Sequence, residues 1–260
     1  MTDWDSIITK IAKGEMEFIA SGTFKAIYKD KTGKVYSKEK IRRRKRTNIY
    51  EILKKLQGEN DLIRKHVLIP EEIYKKAGFK YTVMTYCEAD LNNSTGNTTE
   101  LLKGYTVQEL EVNFNCLEQV LQILHENGIS CMDIKPANML FSCGSEKLIR
   151  LIDLDGALVN GKGTPAQTLN YNFLMFNEDF KKQDKFALYK SFIEILDSSL
   201  WTDYDIMKIG KTMKMWTAEI RSRMKQNEKA ILIEKYLKKL EELESMGSMP
   251  QIKYNTAYKL

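Results

Sequence analysis

Cys131-Met132-Asp133-Ile134-Lys135-Pro136-Ala137-Asn138-Met139-Leu140, followed closely by Leu151-Ile152-Asp153-Leu154-Asp155-Gly156, is the stretch on which the reading of this chain turns. Asp133 has a lysine two residues on and an amide, Asn138, five residues on, set between apolar residues; a second carboxylate, Asp153, comes 20 residues after the first. Such a set suits the handling of a phosphoryl group. One carboxylate can orient a hydroxyl, a lysine can steady the phosphate, and an amide with a second carboxylate can hold a divalent cation.

Outward from this stretch, Leu124-His125-Glu126-Asn127-Gly128-Ile129 leads into it without a gap, and Asp184 opens an apolar-rich segment ending at Leu196. Together these resemble the eukaryotic-like protein kinase family, with its L-H-x-x-G-I lead, H-R-D-L-x-x-x-N loop, D-F-G motif and D-x-W-S-L-G-x-x-L-x-E-L helix. The resemblance spans roughly residues 16–200; it is specific over 124–156 and 184–196 and loose elsewhere. It implies an α+β fold of two lobes, a small β-rich N-lobe over residues 16–87 and a larger helical C-lobe over 88–246, between an N-terminal extension (1–15) and a C-terminal tail (247–260).

By that resemblance Asp133 orients or accepts the proton of the substrate hydroxyl, and Lys135 follows the Ser/Thr-kinase form of the loop. Asn138 and Asp153 hold Mg²⁺ (or Mn²⁺), Leu140 floors the adenine of ATP, and Asp184 braces the loop. Gly22 and Ile27 belong to the glycine-rich loop, in which Ala20 and Lys25 replace the outer glycines; Lys25 would supply charge to the phosphates or point outward, and a plain turn between two strands is the alternative. Val35-Tyr36-Ser37-Lys38 resembles V-A-I-K, which makes Lys38 the phosphate-contacting lysine, with Lys40 the other register and Tyr36 in place of the small residue that roofs the adenine. Met84 would be the gatekeeper, and the backbone of Thr85, Tyr86 and Cys87 the hinge.

Departures from the family pattern are as informative. Cys131 and Met132 stand for His and Arg of H-R-D, and Met132 cannot receive a phosphate as arginine does. Ile49 fills the helix position of the glutamate that pairs with the strand lysine; Glu51 is the nearest carboxylate and points to another face. Asp155 replaces the glycine of D-F-G, as a turn former or a further metal carboxylate. Gly163-Thr164-Pro165 and Thr168-Leu169-Asn170-Tyr171 resemble G-T-x-x-Y, but Leu174-Met175 fills the place of A-P-E. The reading is a Ser/Thr protein kinase acting on protein substrates, constitutive or activated by a partner. The alternatives are a pseudokinase scaffold and, more weakly, a kinase-like fold that modifies small molecules or transfers another group such as AMP.

Periodicity places the elements. Residues 16–28 read as two strands around a glycine, 34–41 as a third and 81–86 as another. Helices are expected over 47–57, 112–127, 185–196 and roughly 203–225 and 228–245, with a polar loop over 92–99. The 260 residues, 43% hydrophobic and 10% aromatic, suffice for a substantial core. No run of about 18 apolar residues occurs, so no membrane insertion is expected. The first residues show neither a secretory nor an N-myristoylation pattern. Cys87, Cys116, Cys131 and Cys143 lack paired spacing and read as reduced thiols of an intracellular protein, cytoplasmic or nuclear. The net charge is +6. Its densest part, Lys38 to Arg46, is either a solvated turn and helix start or a patch for an acidic activating partner at Arg42–Arg46, for phosphate, for nucleic acid or for nuclear import. No aromatics are interleaved with it, so nucleic acid is not the expected partner.

Overall fold

The computed structural model describes residues 2–21, 25–41, 49–85, 104–142, 146–163, 176, 179–200 and 212–245. Its upper lobe is an antiparallel sheet of β1 (Glu17–Ser21), β2 (Lys25–Lys29), β3 (Lys34–Lys40), β4 (Glu72–Lys76) and β5 (Phe79–Thr85), in the order β1-β2-β3-β5-β4. Because successive side chains alternate between faces, the register decides what each face carries. Tyr36 lies opposite Val83 and Lys38 opposite Tyr81, whereas Ser37 lies opposite Thr82 and Glu39 opposite Lys80. The Tyr36 face is covered by helix α1 (Trp4–Lys13), whose Trp4, Ile7 and Ile11 bury against Tyr36, Tyr81 and Val83. Trp4 stacks on Tyr74, ring centroids 5.5 Å apart, and its indole N–H donates to Glu72 Oε2 at 3.2 Å. The opposite face, with Ile27, Ser37, Thr82 and Lys80, looks down on the second lobe.

Between the lobes lie α2 (Ile49–Glu59) and α3 (Asp61–His66). The Ile49, Leu53 and Leu56 stripe of α2 is buried in the main core. After α3 the chain is tied to the lower lobe: the Leu68 N–H donates to the Leu151 carbonyl at 2.9 Å, and His66 Nδ1 lies 2.8 Å from the Ile149 carbonyl.

The lower lobe is built on α4 (Val107–Glu126) and α5 (Phe180–Leu196). Thr106 caps α4, its hydroxyl accepting from the Glu109 N–H while the Glu109 carboxylate accepts from the Thr106 N–H; this satisfies two donors that a helix start leaves open. Leu110, Phe114, Leu117, Leu121 and Leu124 recur at the three- and four-residue spacing of one helix face, and all are buried. Phe114 stacks on Phe192 of α5 with centroids 4.0 Å apart. The chain leaves α4 through Gly128, at φ +73°, where an added Cβ would strike the Asn160 side chain. Helices α6 (Met213–Arg223) and α7 (Ala230–Ser245) close the far side.

The two-lobed α+β arrangement expected from the sequence is the one observed. Several elements differ. The helix expected from 112 begins at 107, and that from 185 begins at 180. Helix α1 sits within the stretch read as an extension, yet it packs on the sheet as part of the upper lobe. Helix α3 and strand β4 were not foreseen. The 92–99 loop and the 203–211 part of a helix lie outside the described residues.

Candidate active site

Strand β6 (Ile129–Ser130), paired with β9 (Leu158–Val159), delivers the chain to the 131–138 loop. The hairpin of β7 (Met139–Phe141) and β8 (Ile149–Leu151) then carries it to Asp153. The loop is held from behind by Asp184 of α5, which is 1% exposed. Its Oδ2 accepts from the Cys131 N–H and its Oδ1 from the Met132 N–H, both at 2.7 Å, and His125 Nε2 lies 2.9 Å from Oδ2. Met132 has φ +69°, a conformation costly for a side chain with a Cβ, and the carboxylate fixes it there. Burial pushes the Cys131 thiol well above its ordinary value, so it remains a protonated apolar residue rather than a nucleophile.

Asp133, Lys135 and Asn138 converge. Lys135 Nζ lies 2.8 Å from Asp133 Oδ2, and Asn138 Nδ2 donates to the Asp133 carbonyl at 2.8 Å and to its Oδ2 at 3.1 Å. With the Asn138 nitrogen so engaged, its side-chain oxygen is the group that can face a cation. The Asn138 carbonyl accepts from the Ile152 N–H at 3.0 Å, which sets Asn138 beside the residue that precedes Asp153. Asp153 has φ +57° and ψ +48° and opens a single 3₁₀ turn, Leu154–Gly156. An amide oxygen and a carboxylate are hard donors of the kind that bind Mg²⁺ together with phosphate oxygens, so the residues present fit such an ion. Leu140 is half-buried between buried Met139 and Phe141.

The upper-lobe expectations fare differently. Lys38 is on the α1 side of the sheet, its ammonium 4.6 Å from the Phe79 ring centroid, and Lys40 is exposed on the same face. Neither is brought toward Asp153. Tyr36 is likewise turned away, its hydroxyl donating to Asp30 Oδ2 at 3.2 Å; burial and the Asp30 charge push it up to about 12. The correction is a slip of one residue, which in a strand exchanges the faces. Ser37 is the small residue toward the lower lobe, its hydroxyl 2.6 Å from that of Thr82, and the position two residues on is Glu39. The cations that reach the 153–155 segment are Lys25, 3.6 Å from Asp153 Oδ1, and Lys80 of β5, hydrogen-bonded to Asp155.

On α2, Ile49 is buried in the core and Glu51 is exposed; the side chain that reaches this segment is Tyr50, which is hydrogen-bonded to Asp155. Burial and the charges of Asp155 and Asp153 raise its phenol well above the ordinary value. Met84 lies opposite Val35 on the Ser37 face, and Thr85 ends β5 opposite Lys34. Gly22, Tyr86, Cys87, Arg42–Arg46 and residues 164–175 lie outside the described residues.

Reasoning from sequence missed Glu39, Lys80 and Tyr50. A signal for Lys80 was present: Phe79, Tyr81 and Val83 alternate with Lys80 and Thr82, which sets a polar face opposite an apolar one.

A loop that gathers Asp133, Lys135 and Asn138 on a helical lobe beneath a five-stranded sheet defines a protein-kinase-like class. The model of the protein kinase domain matches residues 13–174, and the chain belongs to that family. A probable serine/threonine-protein kinase pXi of Dictyostelium discoideum is 25% identical over 164 residues, which cover 62% of this chain and 22% of that protein. The chain thus spans less than a quarter of the length of that relative. Kinases of that family in general use ATP and a divalent cation. No helix among the described residues is long and apolar enough to cross a membrane.

Proposed function

We propose that this chain is an active Ser/Thr protein kinase that transfers the γ-phosphate of ATP to hydroxyls of protein substrates, constitutively or under the control of a bound partner. The observation that carries the reading is the Asp133–Lys135–Asn138 cluster, closed by hydrogen bonds and braced from beneath by Asp184. Asp133 orients the substrate hydroxyl and takes its proton. Lys135, already beside that carboxylate, offsets charge on the group in transit. Asn138 and Asp153 would supply the oxygens that hold Mg²⁺ or Mn²⁺, whose charge would offset that of the phosphates when bound. Leu140 and Ile27 present apolar surface to the adenine, with Gly22, Met84 and the backbone of 85–87 completing the nucleotide site. Lys25, 3.6 Å from Asp153, takes the phosphate role first assigned to Lys38. Lys135 two residues after Asp133, together with the name of the Dictyostelium relative, supports Ser/Thr over Tyr.

The test is transfer from γ-labelled ATP with Mg²⁺ or Mn²⁺ by wild type, Asp133→Ala and Asp153→Asn. Loss of the orienting carboxylate is expected to cut turnover by about 10²- to 10⁴-fold, and Asp153→Asn to abolish it while the fold persists. Equal rates in all three would leave the alternative, a scaffold that binds an acidic partner through Arg42–Arg46.

A further inference from the structure

Glu39, Lys80, Asp155 and Tyr50 form a cluster that the proposed chemistry does not use. Glu39 and Lys80 are cross-strand partners on the lower face of the sheet, 6% and 8% exposed. Lys80 Nζ is 2.9 Å from Glu39 Oε2 and also bonds Asp155 Oδ2. Tyr50 of α2 bonds the same Asp155, and its ring centroid is 5.9 Å from Lys80 Nζ. Four pieces of the molecule, β3, β5, α2 and the 154–156 turn, therefore meet at one ammonium.

From this geometry we infer that Lys80 is a positioning residue: its ammonium, clamped between Glu39 and Asp155, holds the turn that aims the Asp153 carboxylate. The inference rests on the reading of Asp153 as a metal-bearing group. Asp153 stands at a positive φ that persists only where its surroundings over-determine it. On one side the Ile152 N–H is pinned to Asn138; on the other, Leu154 is buried in the core and Asp155 is pinned by Lys80 and Tyr50. Without the ammonium, two carboxylates, the buried Glu39 and the partly buried Asp155, would face each other. Like charges in a poorly solvated site repel strongly, and the short 154–156 turn, which unlike β3 is held in no sheet, is the part that yields. The family's strand-lysine to helix-glutamate pair is then replaced by an inverted set: the strand brings the carboxylate, the next strand the lysine, and the helix a phenol.

The experiment combines hydrogen exchange with steady-state kinetics on the full chain, using Lys80→Met, the double variant Glu39→Lys/Lys80→Met, which moves the ammonium one strand over, and Glu39→Gln/Lys80→Met, which removes both strand charges and keeps the lobe folded if the single change does not. Lys80→Met is expected to speed exchange of the 153–157 amides by about tenfold or more while the β3 and β5 amides stay protected. It is expected to lower kcat by about tenfold or more with KM for ATP within a few-fold, as a misplaced group costs turnover. Glu39→Lys/Lys80→Met should recover both readings, whereas Glu39→Gln/Lys80→Met, which relieves the repulsion but leaves Asp155 without its cation, should recover neither in full. The inference is overturned if exchange at 153–157 stays unchanged, if it rises evenly over the sheet, or if KM alone moves, which would make Lys80 a ligand of the nucleotide. Should wild type prove inert toward ATP while the turn still loosens in Lys80→Met, the proposed function fails and the latch stands.

Discussion

At the scale of single residues, Lys25 and Lys38 separate two accounts of the phosphate site. Lys38→Met should leave nucleotide affinity within a few-fold, whereas Lys25→Met should weaken it by about tenfold or more, since one charge-assisted contact contributes about 1.5–3 kcal/mol. Titration with a fluorescent ATP analogue checks this, and equal losses would restore Lys38. Asp184→Asn keeps the size of the brace but exchanges an acceptor for a donor, leaving one of the Cys131 and Met132 N–H groups facing an amide. The expected cost is about 1–3 kcal/mol by denaturant titration, together with a fall in turnover. His66 gives a pH signature. Burial lowers its pKa from 6.5; the Ile149 carbonyl opposes the shift, and Arg150 and Lys65 add to it. Between the depressed value and 6.5 the unfolded chain binds more protons than the folded one, so stability rises with pH in that window. The His66 contribution is present above 6.5 and is lost as pH falls. His66→Gln should flatten that slope when denaturation midpoints are compared across the window. The loop residues were legible in the sequence because a contiguous motif fixes its own spacing. The strand lysine was not, because Lys38 and Lys40 differ by a full period while the face is decided by one residue, and that choice belongs to the helix that buries Tyr36.

At the scale of elements, the strands and long helices could be read because caps and apolar spacing coincide. Helix α4 carries both signals, and its Phe114 meets Phe192 face to face. Phe192→Ala should cost about 3–5 kcal/mol, and Thr106→Ala about 0.5–2 kcal/mol through loss of the cap; thermal or denaturant unfolding would rank them in that order. Helix α1 had its own signals: Asp3, whose side chain accepts from the Ser6 N–H, a stripe at Trp4, Ile7 and Ile11, and Gly14 in the left-handed conformation at its end. The segment precedes the first stretch that resembles the family, so the resemblance says nothing of it. Strand β4 reads Glu-Ile-Tyr-Lys-Lys and is only partly buried, as suits an edge, where pattern is weakest.

For the molecule as a whole, switching should not run through the 131–133 loop. Met132 is buried and offers no charge to a phosphothreonine. Thr164→Ala and Thr168→Ala are therefore expected to leave the basal rate within a few-fold, and a large loss restored by a phosphomimetic would show that another cation serves. The two lobes are bridged at Leu68–Leu151, Lys25–Asp153 and Lys80–Asp155, so the hydrogen-bonded frame crosses the cleft in more than one place. Trp4, stacked on Tyr74, is the chain's sole tryptophan before residue 201, while Trp216 lies among the lower helices beside Phe186. Nature has thus placed a separate fluorophore above the cleft. Subtracting the emission of Trp4→Phe from that of wild type isolates the melting of the sheet, and a curve that superimposes on the remainder would mean that the bridges bind both halves into one cooperative unit.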